Sequence, residues 1–276
     1  MIHILKVMDK VFEDVANNGQ ILVALDFDGT LADIVPNPAD ASLPESRLKL
    51  LEDLNNQPRF AVAIVSGRTL EDLKSRVNLS DVAFAGDHGL EISGPGFHHI
   101  PPEAEEFRTT VAEIGEALEA ALKGVPGVIF EHKGLSMSIH FRLTPPDQRV
   151  SVLHTIRRIS NPYLDGNTLR MVKGKEVVNL LPPVDWHKGS ALKWLLELLD
   201  SLPRRVGGSL PIYIGDDVTD EDAFKEVAEK GFAIRVGRPK PSSAAPYYVN
   251  SIDEVEVVLQ ALLDNSRSLG IPAHQH

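Results

Sequence analysis

The chain has 276 residues, 43% of them hydrophobic, and a formal net charge of -11. That apolar content is enough for a sizeable core, the length fits one large domain or two smaller ones, and the acidic balance argues against a broad nucleic-acid or membrane-binding face, though not against a small anionic substrate. No cysteine is present, which excludes disulfides and thiolate metal sites and makes a reducing cytoplasm the expected compartment.

The chain opens with "MIHILKVMDKVF", in which Lys and Asp interrupt the apolar residues. It reads as an amphipathic first helix, with the character of neither a signal peptide nor a membrane span. Next comes "ILVALDFDGTLADI", Ile21 to Ile34, where an apolar run delivers Asp26 and Asp28 to its tip and Gly29 permits a sharp turn. One carboxylate there can attack phosphorus and form an acyl phosphate. The second can protonate the leaving oxygen and then activate water. A lone D-x-D is also common in solvated turns, helix caps and metal sites of nucleotide-sugar enzymes. The helix pattern "LPESRLKLLEDLNN" follows, then the strand "FAVAIVSGR", which ends in Ser66. Ser66 and the N–H groups opening "TLEDLKSRV" could hold a phosphoryl group; Ser66 and Thr69 could equally just cap that helix. "VAFAGDHG" is a third apolar strand.

The middle of the chain changes character. "LSMSIHFRLT" alternates strictly, with Leu135, Met137, Ile139 and Phe141 on one face and Ser136, Ser138, His140 and Arg142 on the other. That pattern predicts a one-sided antiparallel sheet. "GVIFEHKG" and "EVVNLL" are further strands. "AEEFRTTVAEIGEALEAALKG" and "PPDQRVSVLHTIRRI" are helices. The expected organisation is an α/β core, residues 1–98 and 182–276, carrying a smaller inserted α+β domain at 99–181. "SGPGFHHIPP" and "LLPPVDW" would be its hinges.

After the insert, "DWHKGSALKWLLELL" places Lys188 just before a helix, where an ammonium could neutralise a transferring phosphoryl group or merely be solvated. "LPIYIGDDVTDEDAF" ends a fourth core strand in Asp216, Asp217 and Asp220. Such crowded carboxylates suit Mg²⁺. Thr219 with Asp222 fits a capping box. "FAIRVG" is a fifth strand. Continuous apolar strands alternating with helices predict a parallel sheet covered on both faces, with ligands at the carboxyl ends of the strands. Neither G-x-x-x-x-G-K-[ST] nor G-x-G-x-x-G occurs.

Four elements in this order, "DFDGT", the Ser of "SGR", the Lys of "HKG" and "GDDVTDEDAF", resemble those of the haloacid-dehalogenase (HAD) phosphatases across about Ile21 to Leu259. More narrowly, "DFDGTLADI", "AIVSGR", "AGDHGLEI", "EHKGLSMSIHFR" and "GKEVVNLLPPVDWHKG" resemble the trehalose-6-phosphate phosphatase family. The resemblance implies a HAD-like Rossmannoid core and makes the insert a mobile C2-type cap that chooses the sugar. It implies Asp26 as nucleophile and Asp28 as acid/base. Mg²⁺ would bind Asp26, the Asp28 carbonyl and Asp216, supported by Asp217 or Asp220. Ser66 and Lys188 would hold the phosphoryl group, and Arg68 and His88 would line the mouth. Glu131 and Lys133 would grip the sugar; by the period of two they share a strand face, where they could instead be a surface ion pair.

Two residues depart from the family pattern. Asn179 stands where a sugar-binding Glu is usual, with Glu176 three residues away on the opposite strand face. Asn can still bond hydroxyls as donor and acceptor. His187 stands where an Asp usually precedes the lysine. The expected activity is Mg²⁺-dependent hydrolysis of trehalose 6-phosphate in trehalose biosynthesis. A phosphatase for another glycoside phosphate, such as sucrose phosphate or glucosylglycerol phosphate, is the alternative. A phosphorylation-switched receiver domain would need neither Asp28 nor an insert of this size, and a silent binding protein would not need all four elements. A small sugar phosphate is the expected partner, with no nucleic acid and no membrane; the oligomeric state is not fixed by sequence, and a monomer is expected.

Overall fold

The computed structural model describes residues 1–35, 37–174, 176–202 and 208–268. The first half of the core runs β1 (Ile2–His3), α1 (Met8–Asn17), β2 (Gln20–Leu25), α2 (Glu45–Asn55), β3 (Phe60–Val65), α3 (Leu70–Val77) and β4 (Ala83–Gly86). A hairpin of β5 (Glu91–Gly94) and β6 (Phe97–His99) follows. The middle contains α4 (Pro102–Glu105), α5 (Arg108–Leu122), β7 (Ile129–His132), β8 (Met137–His140), α6 (Pro146–Asp165), β9 (Arg170–Gly174) and β10 (Val177–Leu181). The chain then completes the core with α7 (Lys188–Ser201), β11 (Ser209–Gly215), α8 (Glu221–Ala228), β12 (Phe232–Val236), β13 (Tyr247–Val249) and α9 (Ile252–Ser268). Two units result: Met1–His99 with Trp186–His276, and Ile100–Asp185.

The first unit is built on one sheet in the order β1-β13-β12-β11-β2-β3-β4-β5-β6. It is parallel from β1 to β4, and β5 and β6 extend it antiparallel. Strand β2 lies at its centre and is buried along its whole length, as a continuous apolar run requires when both faces are covered. Ile21, Val23 and Leu25 join one core layer with residues of α1, α2, α3 and α9. Leu22 and Ala24 join the other, with residues of α7 and α8. No helix among the described residues is long and apolar enough to cross a membrane.

The second unit is an antiparallel sheet in the order β7-β8-β10-β9. Met137, Ile139, Val178 and Leu180 pack with residues of α5 and α6.

Several sequence expectations change. The first helix starts only at Met8, behind a short strand and a 3₁₀ turn. "SGPGFHHIPP" contains the core hairpin β5–β6 rather than a plain hinge, and the helix read over 104–124 is broken near Phe107 into α4 and α5. Strand β8 spans only Met137–His140, although the Phe141 N–H continues the pairing by donating to the Glu176 carbonyl, where Glu176 adopts a φ of +64°. Ser136 and Ser138, expected on a solvated face, are each 1% exposed. β9 and β13 were not read from sequence: "RMVKG" and "YYV" are too short and mixed to show a period.

Candidate active site

Strands β11, β2 and β3 are neighbours, and each ends one residue before a polar side chain. Asp216 follows β11, Asp26 follows β2 and Ser66 follows β3, so parallel pairing alone brings three separate sequence segments to one edge. Gly29 adopts a φ of +87°, and a Cβ there would stand 2.4 Å from the Asp216 Oδ2. The turn after β2 therefore requires glycine both for its backbone and for the approach of the second carboxylate.

Lys188 is the first residue of α7 and is 3% exposed. Its Nζ donates to Asp26 Oδ1 and to Asp220 Oδ1, each at 2.7 Å. Burial alone would lower its proton affinity, but Asp220 and Asp26 outweigh that and hold the ammonium charged well above the usual lysine range. His187 caps the helix: its Nδ1 accepts from the Ser190 N–H at 3.2 Å. An Asp at this position could make the same capping bond, so the departure at His187 leaves Lys188 anchored.

Asp26, Asp216 and Asp220 offer carboxylate oxygens that all lie within 4.8 Å of one another. Burial, ahead of the neighbouring carboxylates, pushes the Asp26 carboxyl up. Burial together with Asp220 and Asp217 pushes Asp216 to about 7. Both are carboxylates short of positive charge, an arrangement compatible with a divalent cation. The three are not equivalent. Asp220 already accepts from Lys188 and from the Tyr213 hydroxyl at Oδ1, and from the Asp217 N–H at Oδ2. Asp217 itself is exposed and caps the 3₁₀ turn Val218–Asp220. The capping box is thus Asp217 with Asp220, and the Thr219–Asp222 box expected from sequence is not formed.

Asp28 is bound through both oxygens by Arg68, at 2.6 Å from Nε and 2.7 Å from Nη2. Arg68 also donates to Asp72 at 2.8 Å, and Asp72 accepts from Arg76 at 2.7 Å. Burial would raise the Asp72 carboxyl, but the two arginines outweigh it and hold it below the usual range. Ser66 Oγ accepts from the Arg68 N–H at 3.2 Å, and Thr69, not Ser66, caps α3. His88 lies beside this turn. Its N–H donates to the Ser66 carbonyl at 3.0 Å, and a Cβ on Gly67 would meet its ring at 2.6 Å. Asp26, Asp28, Ser66, Arg68, His88, Lys188, Asp216 and Asp220 thus all belong to the first unit and lie at or just past its strand ends and the start of α7. Asp72 and Tyr213 escaped sequence reading. The i, i+4 spacing of Arg68, Asp72 and Arg76 was visible, but its link to Asp28 was not.

Glu131, Lys133 and Asn179 belong to the second unit. In register, Glu131 pairs with Ser138 and Ser138 with Asn179, so the three form a row across β7, β8 and β10. Ser138 donates to Asn179 Oδ1 at 2.6 Å. Glu131 accepts from His140 at 3.1 Å and lies 3.7 Å from Lys133 Nζ. Lys133 follows the end of β7, with its N–H bonded to the Ser136 carbonyl. Glu176 lies off this row, at a φ of +64°, between Arg149 and Arg142.

The trehalose-phosphatase family model matches residues 24–253. A trehalose-phosphate phosphatase of Mycobacterium bovis is 39% identical over 219 residues, covering 79% of this chain and 54% of that protein. The Mycobacterium marinum enzyme of the same name is 39% identical over 78% of this chain and 53% of its own. The chain spans about half the length of these curated relatives. The C-terminal domain of a Candida albicans trehalose-6-phosphate phosphatase superposes with a TM-score of 0.77 at 20% identity, over 93% of this chain and 96% of that one. A trehalose-6-phosphate phosphatase related protein superposes at 0.76 with 25% identity, over 90% and 99%. Fold, sequence and family pattern agree that this chain, with its mixed α/β HAD-like architecture, belongs to the trehalose-phosphatase family.

Proposed function

We propose that the protein is a Mg²⁺-dependent phosphoric monoester hydrolase that converts trehalose 6-phosphate to trehalose and phosphate. The observation that carries this reading is the buried contact of Lys188 with Asp26, flanked by Asp216 and Asp220, in a chain of this family. Asp26 attacks phosphorus through the oxygen that Lys188 leaves open, and an aspartyl phosphate forms as the sugar oxygen departs. Asp28 delivers a proton to that oxygen and then takes one from the attacking water. Arg68 bonds both Asp28 oxygens and favours the ionised carboxylate, so to carry the proton as general acid Asp28 must do so against this pairing, on a lone pair that Arg68 does not occupy or with one of the two bonds released. Lys188 and Ser66 hold the transferring phosphoryl group, and Arg68 and His88 line the entrance. Mg²⁺ would be held by Asp26, Asp216 and the Asp28 carbonyl, where it would neutralise the phosphoryl charge. Asp220, whose oxygens already have donors, serves chiefly to anchor Lys188, and Asp217 supports the turn.

The unit formed by Ile100–Asp185 would act as the cap that selects the sugar, through Glu131, Lys133 and Asn179. A cysteine-free chain suits a cytoplasmic enzyme. The test is phosphate release, with Mg²⁺ present, from a panel of sugar phosphates. Trehalose 6-phosphate should give the highest kcat/KM; a stronger preference for sucrose phosphate or glucosylglycerol phosphate would overturn the substrate assignment.

A further inference from the structure

We propose that Tyr213, to which no role was given above, is a positioning residue of the phosphoryl-transfer centre: its hydroxyl shares the Asp220 oxygen that holds Lys188 and so sets how far the ammonium leans toward Asp26. The inference rests on the phosphatase reading given above. Tyr213 lies in β11 with no solvent exposure. Its strand neighbours in register are Ala24 and Ala233, whose small side chains leave room for the ring, and Phe224 meets it edge-on at 5.7 Å. Its hydroxyl donates to Asp220 Oδ1 at 2.6 Å. The same oxygen accepts from Lys188 at 2.7 Å, while Lys188 reaches Asp26 at 2.7 Å on its other side.

Asp220 Oδ1 is therefore divided between two donors, and its second oxygen is occupied by the Asp217 N–H. A carboxylate oxygen that accepts two bonds pulls less on each donor than one that accepts a single bond. Without the phenol, Lys188 becomes the sole donor to Oδ1. The ammonium then moves toward Asp220, away from Asp26 and from the phosphoryl group it must neutralise. Burial, with Asp220 next, keeps the phenol protonated far above neutral pH, so it remains a donor. Packing does not explain the hydroxyl. Phenylalanine would fill this apolar strand equally well, and burying a hydroxyl costs free energy unless it is bonded.

The test is a double-mutant cycle of Tyr213→Phe and Asp220→Asn, with crystal structures of the wild type and of Tyr213→Phe. Tyr213→Phe should lower kcat about tenfold while KM and the Mg²⁺ half-saturation change less than about twofold, and Lys188 Nζ should shift away from Asp26. In the Asp220→Asn background, Tyr213→Phe should cost nothing further, since its route to Lys188 is gone; Asp220→Ala replaces that background if the amide variant does not fold. A wild-type kcat in Tyr213→Phe, an equal loss in the Asp220 background, or an unmoved Lys188 overturns the inference. An inactive wild type would overturn the phosphatase reading instead, and the position of Lys188 in the two crystals would still decide the role of Tyr213.

Discussion

The two polar regions of the molecule are built differently. At the core edge, charges hold one another in a chain of close bonds: Lys188 sits buried between Asp26 and Asp220, and a buried Arg68 grips the partly exposed Asp28 and Asp72. On the sheet of the second unit, the row Glu131–Ser138–Asn179 includes a bond between neutral groups, 2.6 Å from Ser138 to Asn179, and a loose ion pair, 3.7 Å from Glu131 to Lys133. Buried charge pairs are rigid because breaking one strands an uncompensated charge. Neutral and half-exposed pairs can exchange partners with a ligand at little cost. Reaction chemistry needs the first kind of site, and recognition of hydroxyls tolerates the second.

The sharpest way to break this comparison is to neutralise core carboxylates. Asp26→Asn should abolish turnover, since an amide is a poor nucleophile, as stopped assays of phosphate release would register. Asp28→Asn should slow turnover by roughly 10²–10⁴-fold. Near-native rates in either variant would remove the corresponding role.

Metal removal probes the same region without mutation. Exhaustive chelation should eliminate activity and Mg²⁺ should restore it, with Ca²⁺ a poor substitute because it favours more ligands at longer distances. The metal-free protein should also carry a pH signature. Asp216 is raised to about 7 from an ordinary value of 3.8. The folded state therefore holds that proton more tightly than the unfolded chain, so the stabilisation is complete below about pH 4 and is lost as pH rises through 7. Melting temperature without metal should fall between about pH 4 and 7 and level off above that, and Asp216→Asn should flatten that fall. A wild-type and variant pair with parallel pH profiles would contradict the assignment.

Effects in the second unit should be smaller and dependent on substrate. Glu131→Ala or Lys133→Ala should each cost roughly 1–3 kcal/mol in kcat/KM for trehalose 6-phosphate. Hydrolysis of a small aryl phosphate should barely change. Equal losses on both substrates would show that this unit supports folding rather than choosing the sugar. Smallest of all, Ser138→Ala should lower stability by about 1 kcal/mol by orphaning Asn179 Oδ1, readable as a shift of the denaturant midpoint.

The same contrast explains what the sequence revealed. The gathering of side chains at the core edge was legible because Asp26, Ser66 and Asp216 each follow an apolar strand directly, and parallel pairing does the rest. Their partners were less visible. Nothing local tells that Tyr213 bonds Asp220 or that Asp72 reaches Asp28 through Arg68. In the second unit, the alternation of Leu135–Phe141 announced a one-sided sheet, yet burial of Ser136 and Ser138 depends on tertiary packing that no period encodes. The Thr219–Asp222 box failed for a related reason: Asp217 and Asp220 offer the same spacing two residues earlier, and the buried Lys188 favours the Asp220 carboxylate there.

The central claim is that Asp26 becomes covalently phosphorylated. It is tested most directly by mixing the Asp28→Asn variant with Mg²⁺ and trehalose 6-phosphate, quenching in acid, and locating the label by peptide mass spectrometry. A phosphoryl group on the peptide carrying Asp26, gained at a rate matching the release of trehalose, is the predicted result. Trehalose released with Asp26 unmodified at every time point would contradict the account.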